Sequence, residues 1–145
     1  MYVIIDTNYL CHKAYYVFGN LSHDEVATGV IFGVLKDIAA IRERFDSDKI
    51  IFTFDKGKPR RCKLFKGYKK SRYDKTENAT DEELATLNEF RKQVTKLEEK
   101  YLPSMGFRNI FSQKGFEADD IIASLCHDLK GEEIAIVSAD KDLYQ

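Results

Sequence analysis

Four short apolar runs, separated by longer segments with helical periodicity, most constrain the fold of this chain of 145 residues. The runs are rich in β-branched and aromatic residues, as buried strands are. Strands that alternate with helices form a mostly parallel sheet, and right-handed connections place helices on both faces. We therefore predict an α/β fold with a mostly parallel central sheet. The predicted strands are residues 2–5 (YVII), 49–54 (KIIFTF), 107–111 (FRNIF) and 133–139 (EIAIVSA).

The segments between these runs carry helical signals. Apolar residues recur at helical spacing over 25–45, and residues 8–18 predict a helix with a mixed aromatic face. Thr80 and Glu83 match a capping box, so a third helix is expected from Thr80 to about 103–106. A fourth helix is expected over Glu117 to Leu129. A hydrophobic fraction of 43% is enough for one core, so we expect one domain.

Acidic residues follow every predicted strand. Parallel strands end at one edge of their sheet, so these carboxylates are expected to converge in one cleft. Like charges about 4 Å apart repel by on the order of several kcal/mol at protein-like dielectric, so cations must lie among them. Oxygen ligands favour Mg²⁺ or Mn²⁺, and two such ions suit phosphodiester hydrolysis. The expected metal ligands are Asp6, Asp55, Glu117, Asp119, Asp120, Asp140 and Asp142.

Simpler roles are open for each acid taken alone. An Asp after a strand is commonly a helix N-cap or turn residue. The trio at 117–120 would also favour the positive end of a helix dipole. The argument for a metal site therefore depends on all four clusters together.

Positive charge is concentrated in one stretch, although the net charge is only −1. Residues 56–75 contain ten Lys or Arg and one acid, which leaves 13 basic and 23 acidic residues elsewhere. Helical and strand periodicity disappears over 56–78, so we expect a mobile or partly helical segment. Its bases suit a phosphate backbone, and Phe65, Tyr68 and Tyr73 suit stacking on exposed bases.

Several other classes of protein are disfavoured. No apolar run is long enough to span a bilayer and the first residues do not resemble a signal peptide, so a soluble, cytoplasmic protein is expected. Three widely separated cysteines suggest neither disulfides nor a zinc site. The three histidines are interpreted as ordinary polar residues.

Four stretches, IDTNYLCHKA, FDKGKPRRCKLFKGYKKSR, GFEADDIIA and SADKDLYQ, carry a family resemblance. In this order they resemble the 5′-nucleases of the flap endonuclease superfamily, which include the 5′ to 3′ exonuclease domain of bacterial DNA polymerase I and related phage enzymes. The resemblance implies a PIN-like fold and divalent-metal hydrolysis of DNA at 5′ flaps, nicks or 5′ ends, with RNA primer strands as a further substrate, by a monomer. Residues 56–80 would form a basic arch around the 5′ strand.

Matching by position, the resemblance assigns metal binding and catalysis to the seven acids named above. Lys69 and Arg72 match the basic pair that approaches the scissile phosphate, and Lys13 matches a basic residue on the first helix. The expected DNA contacts are Lys13, Lys56, Lys58, Arg60, Arg61, Lys63, Lys66, Tyr68, Lys69, Lys70 and Arg72.

The chain departs from the family pattern in two places. Thr7 stands where the family commonly has Gly. The chain also stops after SADKDLYQ, where the family continues into a helix-turn-helix clamp for duplex DNA and supplies further metal-binding aspartates. We therefore expect a 5′-nuclease N-terminal domain over 1–145 without that clamp, either a part of a longer nuclease or a minimal form with an incomplete second metal site.

Three alternative functions are open at this point. A PIN-type ribonuclease has similar length and an acidic quartet, although such proteins usually lack a basic insertion of this kind. A DNA-binding module without turnover is also compatible with the charges. A phosphatase with an aspartyl nucleophile is weakened, since Asp6 is followed two residues later by Asn8 and not by a second Asp.

Overall fold

The computed structural model describes residues 1–144, except for the side chain of Arg72. A four-stranded parallel sheet forms the centre of the molecule, and its strands are β1 (Tyr2–Asp6), β4 (Ile50–Phe54), β5 (Ile110–Ser112) and β6 (Ile134–Val137). The strand order across the sheet is β5-β4-β1-β6. In register, Ile4 of β1 lies beside Ile51 of β4 and Ile136 of β6. The predicted mostly parallel sheet is therefore confirmed.

Helices surround the sheet, and a small antiparallel hairpin lies outside it. The hairpin consists of β2 (Ser22–His23) and β3 (Val26–Ala27). The helices are α1 (Thr7–Phe18), α2 (Gly29–Phe45), α3 (Arg61–Leu64), α4 (Lys70–Glu77), α5 (Asp81–Lys96), α6 (Leu102–Ser104) and α7 (Ala118–Asp128). A π-helical turn, Leu97–Tyr101, joins α5 to α6, and a 3-10 turn covers Lys141–Tyr144. None of the helices in the described part of the chain is long and apolar enough to cross a membrane.

Alternate residues of the strands supply two cores, one on each face of the sheet. Val3, Ile5 and Phe52 point into the larger core with α1, α2 and the end of α5. Ile4 and Ile51 point the other way, against Ile122 of α7. A strand covered on both faces reads as a continuous apolar run, which explains the YVII and IIFTF patterns.

The third predicted helix has the expected start. Thr80 is the N-cap of α5, and its hydroxyl accepts a hydrogen bond from the Glu83 amide, while the Glu83 carboxylate accepts one from the Thr80 amide. The segment 56–78 contains only the short helices α3 and α4, in agreement with its lack of periodicity.

The fourth strand, predicted over 133–139, covers only Ile134–Val137, and two other predicted boundaries were wrong by three residues or more. The second helix begins at Gly29 and not at residue 25, because Asp24 and Glu25 adopt φ of 49° and 62° and form the tight turn of the β2–β3 hairpin. Val26 mimics helical spacing to Val30, so periodicity alone extends the helix too far. The third strand begins at Ile110 and not at 107, because the Phe107 amide donates to the Leu102 carbonyl in the turn after α6 and pairing with β4 starts at Ile110.

Candidate active site at the carboxyl edge of the sheet

The ends of the four parallel strands lie side by side, and the predicted acids follow them. Asp6 ends β1, Asp55 follows β4, and Glu117 and Asp119 lie at the start of α7, after β5. Their charges interact: the pKa of Asp55 lies above its usual value, through partial loss of hydration and through the nearby charges of Asp6, Glu117 and Asp119. These four acids therefore form one group at the carboxyl edge.

Asp6 has two roles in this geometry. One of its oxygens, Oδ1, accepts a hydrogen bond from the Tyr9 amide at 3.1 Å and so caps α1. The other, Oδ2, accepts a hydrogen bond from the Ser138 hydroxyl at 2.9 Å. Asp6 is thus a helix N-cap, as an Asp after a strand commonly is. The capping hydrogen bond also fixes the orientation of the Asp6 carboxylate.

Asp55 joins three elements at the end of β4. Its Oδ1 accepts a hydrogen bond from the Ala118 amide at 2.7 Å, which holds the start of α7 against β4. Its own amide donates to Asn8 Oδ1 on α1 at 3.0 Å. The Ala118 hydrogen bond favours the charged carboxylate, but desolvation outweighs it and the pKa stays raised.

Glu117 is the buried acid of the group, with its side chain 5% exposed. The Tyr68 hydroxyl donates to Glu117 Oε2 at 2.6 Å, Arg61 Nη1 donates to the same oxygen at 3.2 Å, and Lys69 Nζ is in direct contact with Oε1. A buried carboxylate requires such donors. All three come from the segment 61–69, so Glu117 holds that segment against α7.

Lys69 reaches Glu117 from an uncommon backbone conformation. Its φ of 51° lies in the left-handed region, and the residue immediately precedes α4. Such a conformation costs energy in a residue with a Cβ, so the surrounding contacts must hold it in place. The turn directs the ammonium group back toward the acids.

Asp119 and Asp120 face Arg61. The guanidinium contacts Asp120 directly and lies 3.9 Å from Asp119. Asp120 Oδ2 also accepts a hydrogen bond from the Glu117 amide at 3.0 Å. Burial and the charge of Glu117 raise the pKa of Asp119, while Lys69 and Arg61 partly oppose that shift. The pKa of Arg61 is raised by the Tyr68 hydroxyl and by Asp120, so the guanidinium remains charged.

Asp140 and Asp142 lie after β6 and are exposed. The Asp142 amide donates to Asp140 Oδ1 at 2.9 Å, and the Asp140 amide donates to Ser138 Oγ at 3.1 Å. Because Ser138 also donates to Asp6, it links this turn to the group of four acids. We did not predict a role for Ser138 from the sequence, although a Ser two residues before an Asp is a common turn signal.

The donor set fits a hard cation in its chemistry, because every candidate ligand is an oxygen. The arrangement is nevertheless not that of a metal site: across residues 1–144, no three acids, histidines or cysteines are placed to hold one ion together. Instead, the positive groups of Arg61 and Lys69 lie among the carboxylates.

The predicted bases outside this cluster have diverse positions. Lys13 pairs with Asp37 at 3.0 Å, and Lys56 pairs with Glu98 at 3.1 Å. The other positions are as follows: Lys58 lies 4.5 Å from the Tyr73 ring centroid, Arg60 lies 4.7 Å from that of Phe116, and Lys63, Lys66 and Lys70 are exposed. The side chain of Arg72 lies outside the described part of the structure.

The aromatic residues of this segment also differ from one another. Tyr68 uses its hydroxyl on Glu117, and burial and that hydrogen bond raise its pKa. Burial and the neighbouring Cys62 raise the pKa of Tyr73 to about 12. Phe65 is 67% exposed, so of the three predicted stacking residues it presents the most open ring.

A cavity of about 220 Å³ opens beside the acids. Asp55 and Glu117 line it together with Lys69 and with Arg91 of α5. Arg91 lies outside the basic stretch, so sequence reasoning missed it. Acidic and basic groups thus share one small space, an arrangement suited to a cation and a phosphate side by side.

Comparison with known proteins agrees with this geometry. The profile of the family described as 5′-3′ exonuclease, N-terminal resolvase-like domain, matches residues 1–145. A 5′-3′ exonuclease of Buchnera aphidicola subsp. Schizaphis graminum is 37% identical in an alignment 148 positions long that covers 99% of this chain and 47% of that protein. DNA polymerase I of Deinococcus radiodurans is 31% identical over 99% of this chain and 14% of its own length.

Solved structures of phage T5 proteins have the same fold. T5 5′-exonuclease with bound zinc superposes with a TM-score of 0.79 at 22% identity, over 97% of this chain and 49% of that one. The T5 D15 flap endonuclease in complex with DNA and metal ions has a TM-score of 0.75, also at 22% identity, over 96% and 48%. The chain spans about half the length of the curated 5′-3′ exonucleases it matches.

Proposed function

Since the chain belongs to the 5′-3′ exonuclease family through its N-terminal resolvase-like domain, we propose that it forms the catalytic domain of a structure-specific 5′-nuclease. It hydrolyses DNA phosphodiester bonds at 5′ flaps, nicks or 5′ ends and uses a divalent metal ion. The T5 flap endonuclease of the same fold, solved with DNA and metal ions, supports this proposal. We further propose that the ion is Mg²⁺ or Mn²⁺, that RNA primer strands are an additional substrate, and that the protein is a monomer.

One observation carries the proposal: carboxylates that follow three strands gather at one edge of the sheet, and those at the start of α7 lie against Arg61 and Lys69. Asp6, Asp55 and Glu117 come from different parts of the chain, and Lys69 contacts Glu117 directly. Acidic side chains bind a metal cation and basic side chains bind a phosphate group. Metal-dependent hydrolysis of a phosphodiester requires these two kinds of side chain at one site.

The acids are the proposed metal ligands. A divalent ion, which supplies Lewis acidity toward the phosphodiester when bound, would take its ligands from Asp6, Asp55, Glu117, Asp119 and Asp120. These side chains would have to rearrange first, because no three acids of residues 1–144 are placed to hold one ion together. Ser138 orients the Asp6 carboxylate, and the Ala118 amide orients that of Asp55. Fixed orientation matters because ligands that are held in place by partners bind metal more tightly.

Lys69 is the proposed phosphate-binding residue. Its ammonium group lies at the edge of the 220 Å³ cavity, next to Glu117. A phosphate oxygen placed there would accept a hydrogen bond from the same ammonium group that contacts the Glu117 carboxylate. The ammonium group would then stabilise the negative charge that develops on the phosphate oxygen during hydrolysis. Arg91 also lines the cavity and adds a second positive charge.

The segment 56–80 is proposed as the arch that surrounds the 5′ strand, within a nuclease domain that covers 1–145. Its exposed bases Lys63, Lys66 and Lys70 are open to phosphates, and Phe65 and Leu64 expose 67% and 88% of their surface. Phosphate contacts give salt-dependent affinity, and an exposed ring gives stacking on single-stranded bases.

A nuclease assay tests the proposal. The chain is incubated with a 5′-flap duplex, a nicked duplex and single-stranded RNA, each with Mg²⁺, with Mn²⁺ or with a chelator. We expect metal-dependent cleavage of the flap, lost in Asp119→Asn and Asp120→Asn. Cleavage of the RNA alone would favour a PIN-type ribonuclease, and flap binding without cleavage would favour a DNA-binding module.

A further inference from the structure

The Arg61 guanidinium lies among the carboxylates at the start of α7. Its Nη1 donates to Glu117 Oε2 at 3.2 Å and to the Tyr68 hydroxyl at 3.0 Å, and its Nη2 contacts Asp120. The same guanidinium lies 3.9 Å from Asp119. One side chain thus touches the three carboxylates at the start of α7.

We propose that Arg61 is the internal counter-ion of this acid group: its single positive charge offsets part of the negative charge of Glu117, Asp119 and Asp120 in the metal-free protein, and a divalent ion must displace it to bind. The inference rests on the proposed metal-dependent function and deepens it. It assigns to Arg61 a competition with metal, whereas the sequence suggested only a contact to DNA.

Electrostatics supports this role. Acids that converge at a partly dehydrated edge repel one another, and the Glu117 side chain is only 5% exposed. A guanidinium stays charged at every physiological pH and can contact two carboxylates in one plane. A fixed positive charge therefore stabilises the group when no metal is bound.

The neighbouring arginine provides the contrast. Arg60 carries the same charge one residue away, but its guanidinium lies over the Phe116 ring at 4.7 Å. No ion pair between Arg60 and an acid is found among the described residues. Two adjacent arginines in the sequence therefore do not both lie among the acids. The side chain of Arg61, in the first turn of α3, is directed toward the acids, whereas that of Arg60 is not.

Displacement would also affect the segment that carries Arg61. The guanidinium joins α3 to the start of α7, together with the contacts of Tyr68 and Lys69 to Glu117. A divalent ion on Glu117 and Asp119 competes for the same oxygens, because a carboxylate that binds a metal has fewer free lone pairs to offer. Metal binding is thus expected to loosen residues 61–68 before DNA arrives.

The test is a titration with Mn²⁺ alone, followed by the electron paramagnetic resonance signal of free Mn²⁺, without DNA. Arg61→Gln is compared with the wild-type chain and with Arg60→Gln, which removes the same charge without removing the contact. We expect Arg61→Gln to bind Mn²⁺ about three- to tenfold more tightly than Arg60→Gln, a modest factor because Arg61 is 41% exposed. Arg61→Lys, which keeps a positive charge, is expected to stay near the wild-type affinity.

Hydrogen exchange measured by mass spectrometry gives an independent readout. The amides of Lys63, Phe65 and Tyr68 donate to the backbone carbonyls of Arg60, Arg61 and Phe65, respectively. In the wild-type chain, Mg²⁺ is expected to speed their exchange, and in Arg61→Gln the exchange is expected to be fast without metal. Slower exchange with Mg²⁺, or no change, would overturn the proposal.

The outcomes separate this inference from the proposed function. Normal Mn²⁺ binding by the wild-type chain with equal affinities in Arg61→Gln and Arg60→Gln would overturn the role of Arg61 alone. An absence of Mn²⁺ binding in all four proteins would overturn both the inference and the metal-dependent function.

Discussion

Gln93 ties α5 to the start of α2, and its replacement tests how the helices are held together. Gln93 is 3% exposed, and its Oε1 accepts hydrogen bonds from the Val30 amide at 3.0 Å and the Ile31 amide at 3.5 Å. The N-cap residue Thr28 makes no side-chain capping bond. The amides at the first turn of α2 are therefore capped by a residue 63 positions away in sequence.

We predict that Gln93→Met lowers the free energy of unfolding by about 2 kcal/mol. Methionine has a similar volume but no strong acceptor, so the fully buried Val30 amide loses its partner. An unpaired buried donor costs about 1–3 kcal/mol, and the loss of a helix cap about 1 kcal/mol. The contact to Ile31 is long and adds little. For a domain of this size, the same change lowers Tm by roughly 4–8 °C.

Urea denaturation followed by far-ultraviolet circular dichroism measures this difference. Gln113→Met is the matched control, since residue 113 is exposed, and its effect is expected to stay within about 0.5 kcal/mol. Gln93→Glu keeps an acceptor oxygen and is expected to be less damaging than Gln93→Met at acidic pH, where the carboxyl is neutral. A loss below about 0.5 kcal/mol in Gln93→Met would refute the capping argument.

Three further predictions concern the site and the core. Lys69→Ala is expected to slow flap cleavage about a hundredfold with little loss of DNA binding, whereas Lys63→Ala mainly weakens binding and lowers the salt slope by about 0.9. Equal loss of binding in both variants would contradict this assignment. Ser138→Ala removes the hydroxyl that orients Asp6 and is expected to weaken Mn²⁺ binding about tenfold, measured by titration, with an unchanged affinity as the contrary result. Cys11 is fully buried, and burial raises its pKa to about 12, so iodoacetamide at pH 8 should alkylate it only in urea, as mass spectrometry can check.

The sequence alone was sufficient for the alternation of strands and helices. A strand that is buried on both faces, such as YVII, must be apolar along its whole length. The capping box at Thr80 depends on two residues only, Thr80 and Glu83, which lie three positions apart. These are local requirements, so they leave a local pattern. The hairpin over residues 22–27 was missed because Val26 also fits the spacing of the helix that follows.

The sequence also determined that acids lie at one edge of the molecule, because each follows a strand and parallel strands end together. It did not determine which charges meet there. Between Lys56 and Lys75 there are ten bases, and the sequence gives no reason to prefer Arg61 over Arg60. Only the tertiary structure directs Arg61 to Asp120 and Arg60 to Phe116. Periodicity encodes which face a residue occupies, whereas the partner of a long, flexible side chain depends on how distant segments pack together.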